Sequence, residues 1–294
     1  MTFRKSKLVV ALALALVLLA PLHAIPQTRS FLWKATNGRG VVYLVGSLHL
    51  LTKDYYPLAP ALDAAFKDSD LLVEEADLGE MLKPEAQLSV VVRGMLSGNQ
   101  SLDQVVSPAT YALVSKRVAA LGMPIEPLRR FKPWAIALTI LGFEWQKAGF
   151  DPELGLDKHF YDRARVEGKT VQGLETIEYQ ISLFDGMTRA QQDRLLAESL
   201  KDSEAELANV RRLADAWKRG DLPEVERLVL RDLSDDRDLY RTLLVDRNRS
   251  WLPKIEALFA RRGRALVVVG AAHLVGPDGL LAMLRAKRYT VEQM

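Results

Sequence analysis

Two short runs of apolar residues near opposite ends of the chain share one pattern of hydrophobic and polar positions. Residues 41–45 are Val-Val-Tyr-Leu-Val and residues 265–269 are Ala-Leu-Val-Val-Val, with no charged side chain in either run. Uninterrupted apolar runs of this length predict strands that are buried on both faces of a sheet. Each run continues into glycine and, three positions later, into histidine: Gly46 and His49 in the first, Gly270 and His273 in the second.

The repeated strand-Gly-x-x-His unit predicts a shared site. A glycine at a strand end allows a sharp turn or a close backbone approach, and ligands of open α/β sheets bind beyond the carboxyl ends of the strands. The chain contains four histidines, and two of them occupy equivalent places in these units. We therefore expect the two strands to lie in one sheet, with His49 and His273 at the same edge.

The segments next to these runs predict the rest of a mixed sheet. Asn37-Gly38 is a strong signal for a hairpin turn that joins the first two strands. Residues 41–77 have the strand-helix-strand pattern of a crossover unit. The elements predicted outside the two runs are a strand at 31–36, a helix at 59–67, a strand at 70–77 that ends in acidic residues, a helix at 277–286 and a strand at 288–292.

The middle of the chain, roughly residues 83–259, has a mostly helical pattern. The helix that begins at Pro133 is apolar on most sides, which predicts burial or a position facing a substrate groove, and residues 169–172 predict a short strand. We expect an α/β (α+β) fold in which a central mixed sheet carries both strand-Gly-x-x-His units and a large helical insertion lies over it. Because the two units lie near opposite ends, residues 25–294 are predicted to form a single domain.

Residues 1–24 have the pattern of a secretory signal peptide. Arg4, Lys5 and Lys7 precede an unbroken apolar stretch at residues 8–19, which is shorter than the ~20 residues that a membrane-spanning helix needs. We expect cleavage close to Ile25, no stable membrane span in the mature protein, and a periplasmic or secreted location. The alternative is an uncleaved segment that anchors the protein in the inner membrane.

Charge and cysteine content narrow the functional classes. Loss of Arg4, Lys5 and Lys7 with the signal peptide lowers the count of Lys and Arg from 40 to 37, which equals the 37 Asp and Glu. A neutral mature protein has no global basic field for nucleic acid or for a membrane surface. The chain has no cysteine, so its fold depends on a packed core rather than on disulfides, and any metal ligands are nitrogen or oxygen atoms.

Two histidines and a carboxylate are the minimum donor set for a divalent metal with open coordination positions. His49 and His273 supply the nitrogens. Glu74 or Glu75, at the end of the predicted strand, supplies a carboxylate that is either a ligand or a general base toward a metal-activated water. This donor set does not distinguish among zinc, manganese, cobalt and iron as the bound metal. Without a metal, both histidines are strand-end residues that form hydrogen bonds to the backbone.

Other polar residues carry weaker signals. Ser47 lacks the second glycine of a nucleophile elbow and is interpreted as a turn serine. His159 lies on an amphipathic helix, which predicts a surface position, and a role near the site is the alternative. Arg247, next to Asn248, is able to clamp a substrate carboxylate or carbonyl group, although a charged stretch of helix is more often a solvated face.

Short motifs over nearly the whole mature length resemble those of the TraB/GumN family (TraB/PrgY/GumN), which is related to the Tiki metalloproteases. The matching motifs, in chain order, are Leu-Trp-Lys-Ala at 32–35, Tyr43 to His49, Glu75-x-Asp77-Leu78, Lys132-Pro133-Trp134, Gly155-Leu156-Asp157, Gly168-Lys169, Leu174-Glu175-Thr176, Gln180, Arg247-Asn248 and Val269 to Leu274. Each motif is modest, and their order and number make the resemblance strong.

The resemblance implies a fold similar to erythromycin-esterase-like and haem-uptake lipoproteins. It also implies a metal site formed by the two Gly-x-x-His motifs and a glutamate, and the Glu-x-Asp-Leu pattern aligns Glu75 rather than Glu74 with that glutamate. Tiki relatives act on secreted signalling proteins and some bacterial members are linked to peptide pheromones, so the resemblance does not define one substrate.

We expect an exported, peptidase-like hydrolase that acts on a peptide or protein through a divalent metal (Mn, Co or Zn). The alternative is a non-catalytic periplasmic binding or regulatory protein that sequesters a peptide or a metal-bearing ligand in the same cleft. The candidate site residues are Glu75, Arg247 and Asn248 as catalytic residues, His49, His273 and Glu75 as metal ligands, and Glu175 in a supporting position.

Overall fold

A computed structural model describes residues 29–201, 203–231 and 236–294, without the side chains of residues 203 and 204. The predicted signal peptide at residues 1–24 lies outside these ranges. The strands of the described ranges are β1 (Leu32–Thr36), β2 (Val41–Ser47), β3 (Leu71–Ala76), β4 (Thr170–Glu175), β5 (Ala265–Gly270) and β6 (Thr290–Gln293). They form one mixed sheet in the spatial order β4-β3-β5-β2-β1-β6, which confirms the predicted fold class.

The sheet places the two strand-Gly-x-x-His units side by side. β2 and β5 are parallel neighbours, with Gly46 opposite Val269, and β3 runs parallel to β5 on its other side. The carboxyl ends of all three strands therefore meet at one edge of the sheet. β1 pairs antiparallel with β2 through the predicted hairpin, and β6 pairs antiparallel with β1.

The main hydrophobic core lies on both faces of β5. All six residues of this strand are buried, as expected for a parallel strand that helices cover on both sides. Aromatic side chains from the covering helices, among them Phe66, Phe160 and Trp251, belong to the same cluster as the strand residues. The two apolar runs are therefore continuous because neither face of these strands meets solvent.

Helices make up most of the chain between the strands. They are α1 (Pro60–Lys67), α2 (Leu78–Met81), α3 (Pro84–Gly94), α4 (Leu102–Val105), α5 (Pro108–Ala120), α6 (Pro133–Lys147), α7 (Leu156–Glu167), α8 (Ile177–Asp185), α9 (Arg189–Ser199), α10 (Ser203–Lys218), α11 (Leu222–Leu230), α12 (Arg237–Tyr240), α13 (Asp246–Leu258), α14 (Ala271–Leu274) and α15 (Leu280–Ala286). Side chains of Ser107, Thr188 and Asp221 cap three of them by accepting backbone N–H groups. None of the described helices is both long and apolar enough to cross a membrane.

The middle of the chain is less uniform than its pattern predicts. It contributes the edge strand β4 to the sheet, close to the short strand predicted at residues 169–172. α6 packs with α5 and α9 in a second hydrophobic cluster, but Leu138 and Phe143 are 49% and 44% exposed, so this helix is not buried on all sides. The apolar pattern of α6 thus indicates one buried face and one partly exposed face.

Turns divide the helices in two stretches of the chain, and the last helix is shorter than predicted. The charged stretch at residues 188–217 forms the pair α9 and α10. The stretch at residues 236–259 is interrupted by a π-helical turn, Arg241–Val245, between α12 and α13, and Pro253 lies within α13. α15 begins at Leu280 rather than at residue 277.

Candidate functional site

The start of α7 lies against the turn that follows β2. The backbone N–H of Leu156 donates to the carbonyl oxygen of Leu48 at 3.0 Å, and this contact brings Asp157 beside His49. Nδ1 of His49 donates to Oδ2 of Asp157 at 2.8 Å, and Oγ of Ser47 donates to the same oxygen at 2.5 Å. Asp157 therefore fixes the orientation of the His49 ring.

His49 is partly open to solvent and strongly influenced by Asp157. Its side chain is 60% exposed. The negative charge of Asp157, together with the hydrogen bond to it, raises the pKa of His49 to about 9. Because Nδ1 is engaged with Asp157, Nε2 is the nitrogen that remains for a ligand, and a metal that binds there displaces the proton that Nε2 carries at neutral pH.

Neighbouring groups fix the tautomer of His273, which is buried in α14. Nδ2 of Asn248 donates to the backbone carbonyl oxygens of His273 at 3.3 Å and of Asp278 at 2.9 Å, which fixes the orientation of the Asn248 amide group. The Asn248 amide oxygen therefore faces Nδ1 of His273 at 2.7 Å, and because this oxygen only accepts, Nδ1 carries the proton. Nε2 of His273 is consequently unprotonated and accepts from Nη1 of Arg247 at 2.9 Å. Burial lowers the pKa of His273 to about 3, which keeps the ring neutral.

Glu75 extends from β3 toward both histidines. Its Oε1 accepts from the backbone N–H of Gly270 at 2.7 Å and lies 3.7 Å from Nε2 of His273. Its Oε2 accepts from Nη2 of Arg247 at 2.6 Å and from Nε2 of Gln180 at 3.3 Å. Burial by itself would raise the pKa of Glu75, but the positive charges of Arg247 and His49 and the hydrogen bond from the Gly270 N–H lower it below its usual value. The group is therefore a carboxylate at neutral pH.

Arg247, on α13, joins Glu75 to a second buried carboxylate. Its Nε and Nη2 donate to Oε1 of Glu175 at 3.0 and 2.7 Å. Trp251, one helical turn later, donates its indole N–H to Oε2 of Glu175 at 2.8 Å. The Trp251 ring also lies 4.6 Å from the guanidinium carbon and 4.4 Å from the centre of the His273 ring. These contacts leave Arg247 with little freedom to move.

Three side chains from three elements converge on Gly270. A Cβ atom at this position would lie 3.1 Å from Oε1 of Glu75, 3.5 Å from Nε2 of His49 and 3.7 Å from Cδ2 of His273. Within residues 29–201, 203–231 and 236–294, no group of three or more His, Cys, Asp or Glu side chains has a geometry that could hold a metal ion. Arg247 offers a physical reason, because it donates to both His273 and Glu75.

Glu74 points away from this cluster, as expected for the neighbouring residue of a strand. It is 2% exposed, and its Oε2 accepts from the backbone N–H of Leu78 at 3.3 Å. Burial, together with repulsion from Asp157, raises the pKa of Glu74 to about 8. Of the two carboxyl groups at the end of β3, only Glu75 contacts a histidine of the cluster.

An open cavity of about 430 Å³ gives access to the exposed side of the cluster. Its lining combines acidic groups, apolar side chains and groups of the cluster itself, and consists of His49, Leu50, Glu74, Glu75, Ala76, Leu78, Met81, Leu82, Pro152, Glu153, Asp157, Lys158 and Gln180. A ligand in this cavity therefore reaches His49 and Glu75 directly.

The structure brings most of the sequence-predicted residues together. The hydrogen-bonded cluster contains His273, Glu75, Arg247, Asn248 and Glu175, and His49 lies beside it. The exposed fractions of Arg247 and Asn248 are 8% and 1%, so these two residues are not on a solvated face of their helix. His159 is partly buried against Tyr56 and Phe160, so it lies at the surface with less exposure than predicted.

Three residues of the site had no predicted role. Asp157 and Gln180 belong to the motifs that resemble the family, and their place in those motifs was the available signal. Trp251 follows Arg247 by four positions, which puts both on one side of a helix. This spacing could have indicated that the two side chains are in contact.

Similarity to other proteins extends over most of the chain. The uncharacterized protein YbaP of Escherichia coli (strain K12) is 26% identical over 264 residues, which cover 87% of this chain and 93% of that protein. YbaP of Shigella flexneri is 27% identical over 248 residues, covering 83% and 87%. An uncharacterized protein of Treponema pallidum (strain Nichols) is 23% identical over 274 residues, covering 87% and 80%.

No solved structure matches the chain significantly. The model of the TraB/PrgY/gumN family matches residues 31–293. This range contains both strand-Gly-x-x-His units and every residue of the cluster described above. The protein belongs to the TraB/PrgY/gumN family.

Proposed function

We propose that this protein is an exported, metal-dependent hydrolase of the peptidase type, with His49, His273 and Glu75 as the ligands of a divalent metal. The orientation of the two imidazole rings carries the proposal. Each ring donates through Nδ1 to an oxygen of Asp157 or Asn248, and its Nε2 lies in the space beside the Glu75 carboxylate. Outer acceptors of this kind fix the tautomer and direction of metal-binding histidines.

The donor atoms suit a divalent metal. Two imidazole nitrogens and a carboxylate oxygen are acceptable to manganese, cobalt or zinc, and Gly270 leaves the space between them free of a side chain. One contact competes, because Nη1 of Arg247 donates to Nε2 of His273. Nη1 also donates to the carbonyl oxygen of Leu243 at 3.1 Å, so it retains a partner when Nε2 binds a metal.

The residues around the ligands position them for hydrolysis. When bound, a divalent metal supplies Lewis-acid activation of water and of a substrate carbonyl group. Asp157 and Asn248 hold the two rings, and Arg247 holds the Glu75 carboxylate in one orientation. All three nitrogens of the Arg247 guanidinium group donate to protein groups, which favours a positioning role over a direct clamp on the substrate.

The surroundings of the cluster support a peptide substrate. The cavity is open to solvent along one side, and its lining includes apolar residues next to hydrogen-bonding groups, a combination typical of ligand sites. Export is part of the proposal because residues 1–24 have the pattern of a signal peptide.

Metal analysis of the purified protein tests this function. After equilibration with Mn, Co or Zn, we expect the wild type to retain a stoichiometric amount of metal in inductively coupled plasma mass spectrometry. His49→Ala and His273→Ala are expected to retain none, because two remaining ligands do not hold a divalent ion against water. Glu75→Gln separates two roles: loss of a ligand lowers metal affinity, whereas loss of a general base spares affinity and lowers the hydrolysis rate by roughly 10²–10⁴.

His159→Ala is the matched control, since it removes an imidazole outside the cluster and is expected to leave metal content unchanged. Circular dichroism establishes that each variant is folded. If the wild type stays metal-free after equilibration and still hydrolyses peptides, the metal has no part in hydrolysis and the proposal is contradicted. Stoichiometric peptide binding without turnover in fully metal-loaded protein would support a binding or regulatory protein instead.

A further inference from the structure

A buried carboxyl group that the proposed chemistry does not use lies at the same cavity. Glu74 lines the cavity and is only 2% exposed. Its Oε2 accepts one long hydrogen bond from Leu78, and its Oε1 is buried without a partner among the described residues. A buried polar atom without a partner costs stability, and a ligand that brings a donor removes that cost.

The wall next to Glu74 is apolar. Leu78 and Met81 of α2, and Leu82 directly after it, line the cavity. Met81 and Leu82 are 39% and 49% exposed, so their side chains are accessible at its rim. A surface of this kind suits the methylene chain of a long side chain whose polar end reaches further in.

The charge of the lining favours a basic ligand. Among the described residues, the lining contains the carboxylates of Glu75, Glu153 and Asp157 and the carboxyl group of Glu74, which is neutral in the empty cavity, against the cations Lys158 and His49. That lysine is already paired, with Asp162 at 2.6 Å and with Glu153 at 3.3 Å. The lining thus keeps a small excess of carboxylates over cations, which disfavours acidic ligands, and the unpaired oxygen of Glu74 accepts a hydrogen bond from a cationic donor.

We infer that this cavity is a side-chain subsite for a lysine or arginine residue of a peptide, an inference that rests on the proposed peptidase function. The methylene chain of the basic residue lies against Leu78, Met81 and Leu82, and its charged end donates to Glu74. His49 lines the same cavity, so the peptide backbone attached to this side chain is held next to the candidate metal ligands. The expected substrates are peptides with a basic residue beside the cleaved bond.

Binding of fluorescent peptides to the metal-free wild type tests the subsite separately from catalysis. The probes are short alanine-based peptides that differ only in the central residue, which is lysine, arginine, norleucine, alanine or glutamate. Norleucine retains the methylene chain of lysine without its charge. We expect the lysine and arginine peptides to bind roughly tenfold more tightly than the norleucine peptide in fluorescence anisotropy, and the glutamate peptide to bind most weakly.

Three variants assign the two parts of the subsite. Glu74→Gln conserves shape and removes the carboxyl group, so it is expected to abolish the preference for lysine over norleucine. Glu80→Gln is the matched control, because Glu80 is exposed on α2 and does not line the cavity; this variant keeps the preference. Leu82→Ala is expected to weaken the binding of the lysine, arginine and norleucine peptides by a similar factor. The affinity for the alanine peptide is expected to stay unchanged.

The outcomes separate the subsite from the hydrolase. Equal affinity for lysine and glutamate peptides, or no binding of any peptide at millimolar concentration, overturns the subsite. A basic preference that survives in Glu74→Gln also overturns it, because the cation then binds elsewhere. If the lysine peptide binds in a Glu74-dependent manner but metal-loaded protein does not cleave it, the subsite stands and the proposed hydrolase fails.

Discussion

Gly46, the glycine of the first strand-Gly-x-x-His unit, is required by the packing behind the site. A Cβ atom at this position would lie 2.4 Å from Cδ1 of Phe31 and 3.2 Å from Cα of Ala271. Phe31 is buried and packs edge-on against Trp33, so its ring has no free space to enter. The absence of a side chain lets β2 approach the start of α14, the helix that carries His273.

Alanine substitutions at two glycines test this packing argument. We expect Gly46→Ala to lower the free energy of unfolding by about 1–3 kcal/mol, because an added methyl group overpacks a filled core. Gly142→Ala is the control: it lies within α6, where a Cβ meets nothing within 4 Å, and it is expected to raise the free energy of unfolding by roughly 0.5–1 kcal/mol. Urea unfolding monitored by tryptophan fluorescence measures the stability of both variants. A Gly46→Ala protein as stable as the wild type would contradict the packing argument.

At the residue scale, duplication made part of the site predictable. His49 and His273 stand out because each follows the same strand-Gly-x-x pattern. Spacing could not choose between Glu74 and Glu75, since adjacent strand residues differ only in the face they occupy. The partnership of His49 with Asp157 spans 108 positions and leaves no local pattern in the sequence.

At the scale of elements, α13 brings the supporting side chains to the site. Arg247, Asn248 and Trp251 lie on its buried face, whereas Arg249 is exposed. The π-helical turn Arg241–Val245 directly precedes this helix, and such irregular turns are frequent at functional sites. The helix therefore carries one wall of the cluster.

Lysine substitutions at two arginines of α13 test the role of this wall. A lysine cannot reproduce the forked hydrogen bonds of Arg247 to Glu175 and Glu75. We expect Arg247→Lys to lower the free energy of unfolding by about 2–4 kcal/mol, because the buried carboxylates of Glu75 and Glu175 lose hydrogen bonds from their cationic partner. Arg249→Lys keeps the charge on the exposed side of the same helix and is expected to change stability by less than about 0.5 kcal/mol. Equal stability of the two variants in urea unfolding would show that the buried pairing is dispensable.

The charged stretch around Arg247 shows why element-scale prediction was incomplete. Strand and helix positions could be predicted from periodicity, and most helix starts follow from caps and prolines. A stretch with alternating charge, such as residues 246–249, has the pattern of a solvated face unless its partners are known. Those partners, Glu75 and Glu175, come from β3 and β4, and the sequence contains no local sign of that pairing.

At the scale of the whole molecule, the sheet is assembled from both ends of the described chain. β5, from the C-terminal part, inserts between β2 and β3 from the N-terminal part. The duplicated motif predicted that β2 and β5 share a sheet. The edge positions of β4 and β6 could not be predicted as firmly, because both strands lack an apolar run: β6 alternates between exposed and partly buried residues, and β4 does so up to the buried Leu174.

This topology makes β5 indispensable and β6 dispensable, which two C-terminal truncations can test. A chain that ends at residue 263 lacks β5, whose Leu and Val side chains are fully buried. Those four side chains alone contribute about 6–12 kcal/mol of burial, comparable to the entire stability of a typical protein, about 5–15 kcal/mol. We expect this chain to lose cooperative urea unfolding in circular dichroism.

A chain that ends at residue 289 loses only the edge strand β6 and is expected to unfold cooperatively at a lower urea concentration than the full chain. If the chain that ends at residue 263 still unfolds in one cooperative transition, the helical middle folds without the sheet, and the predicted single domain at residues 25–294 is wrong.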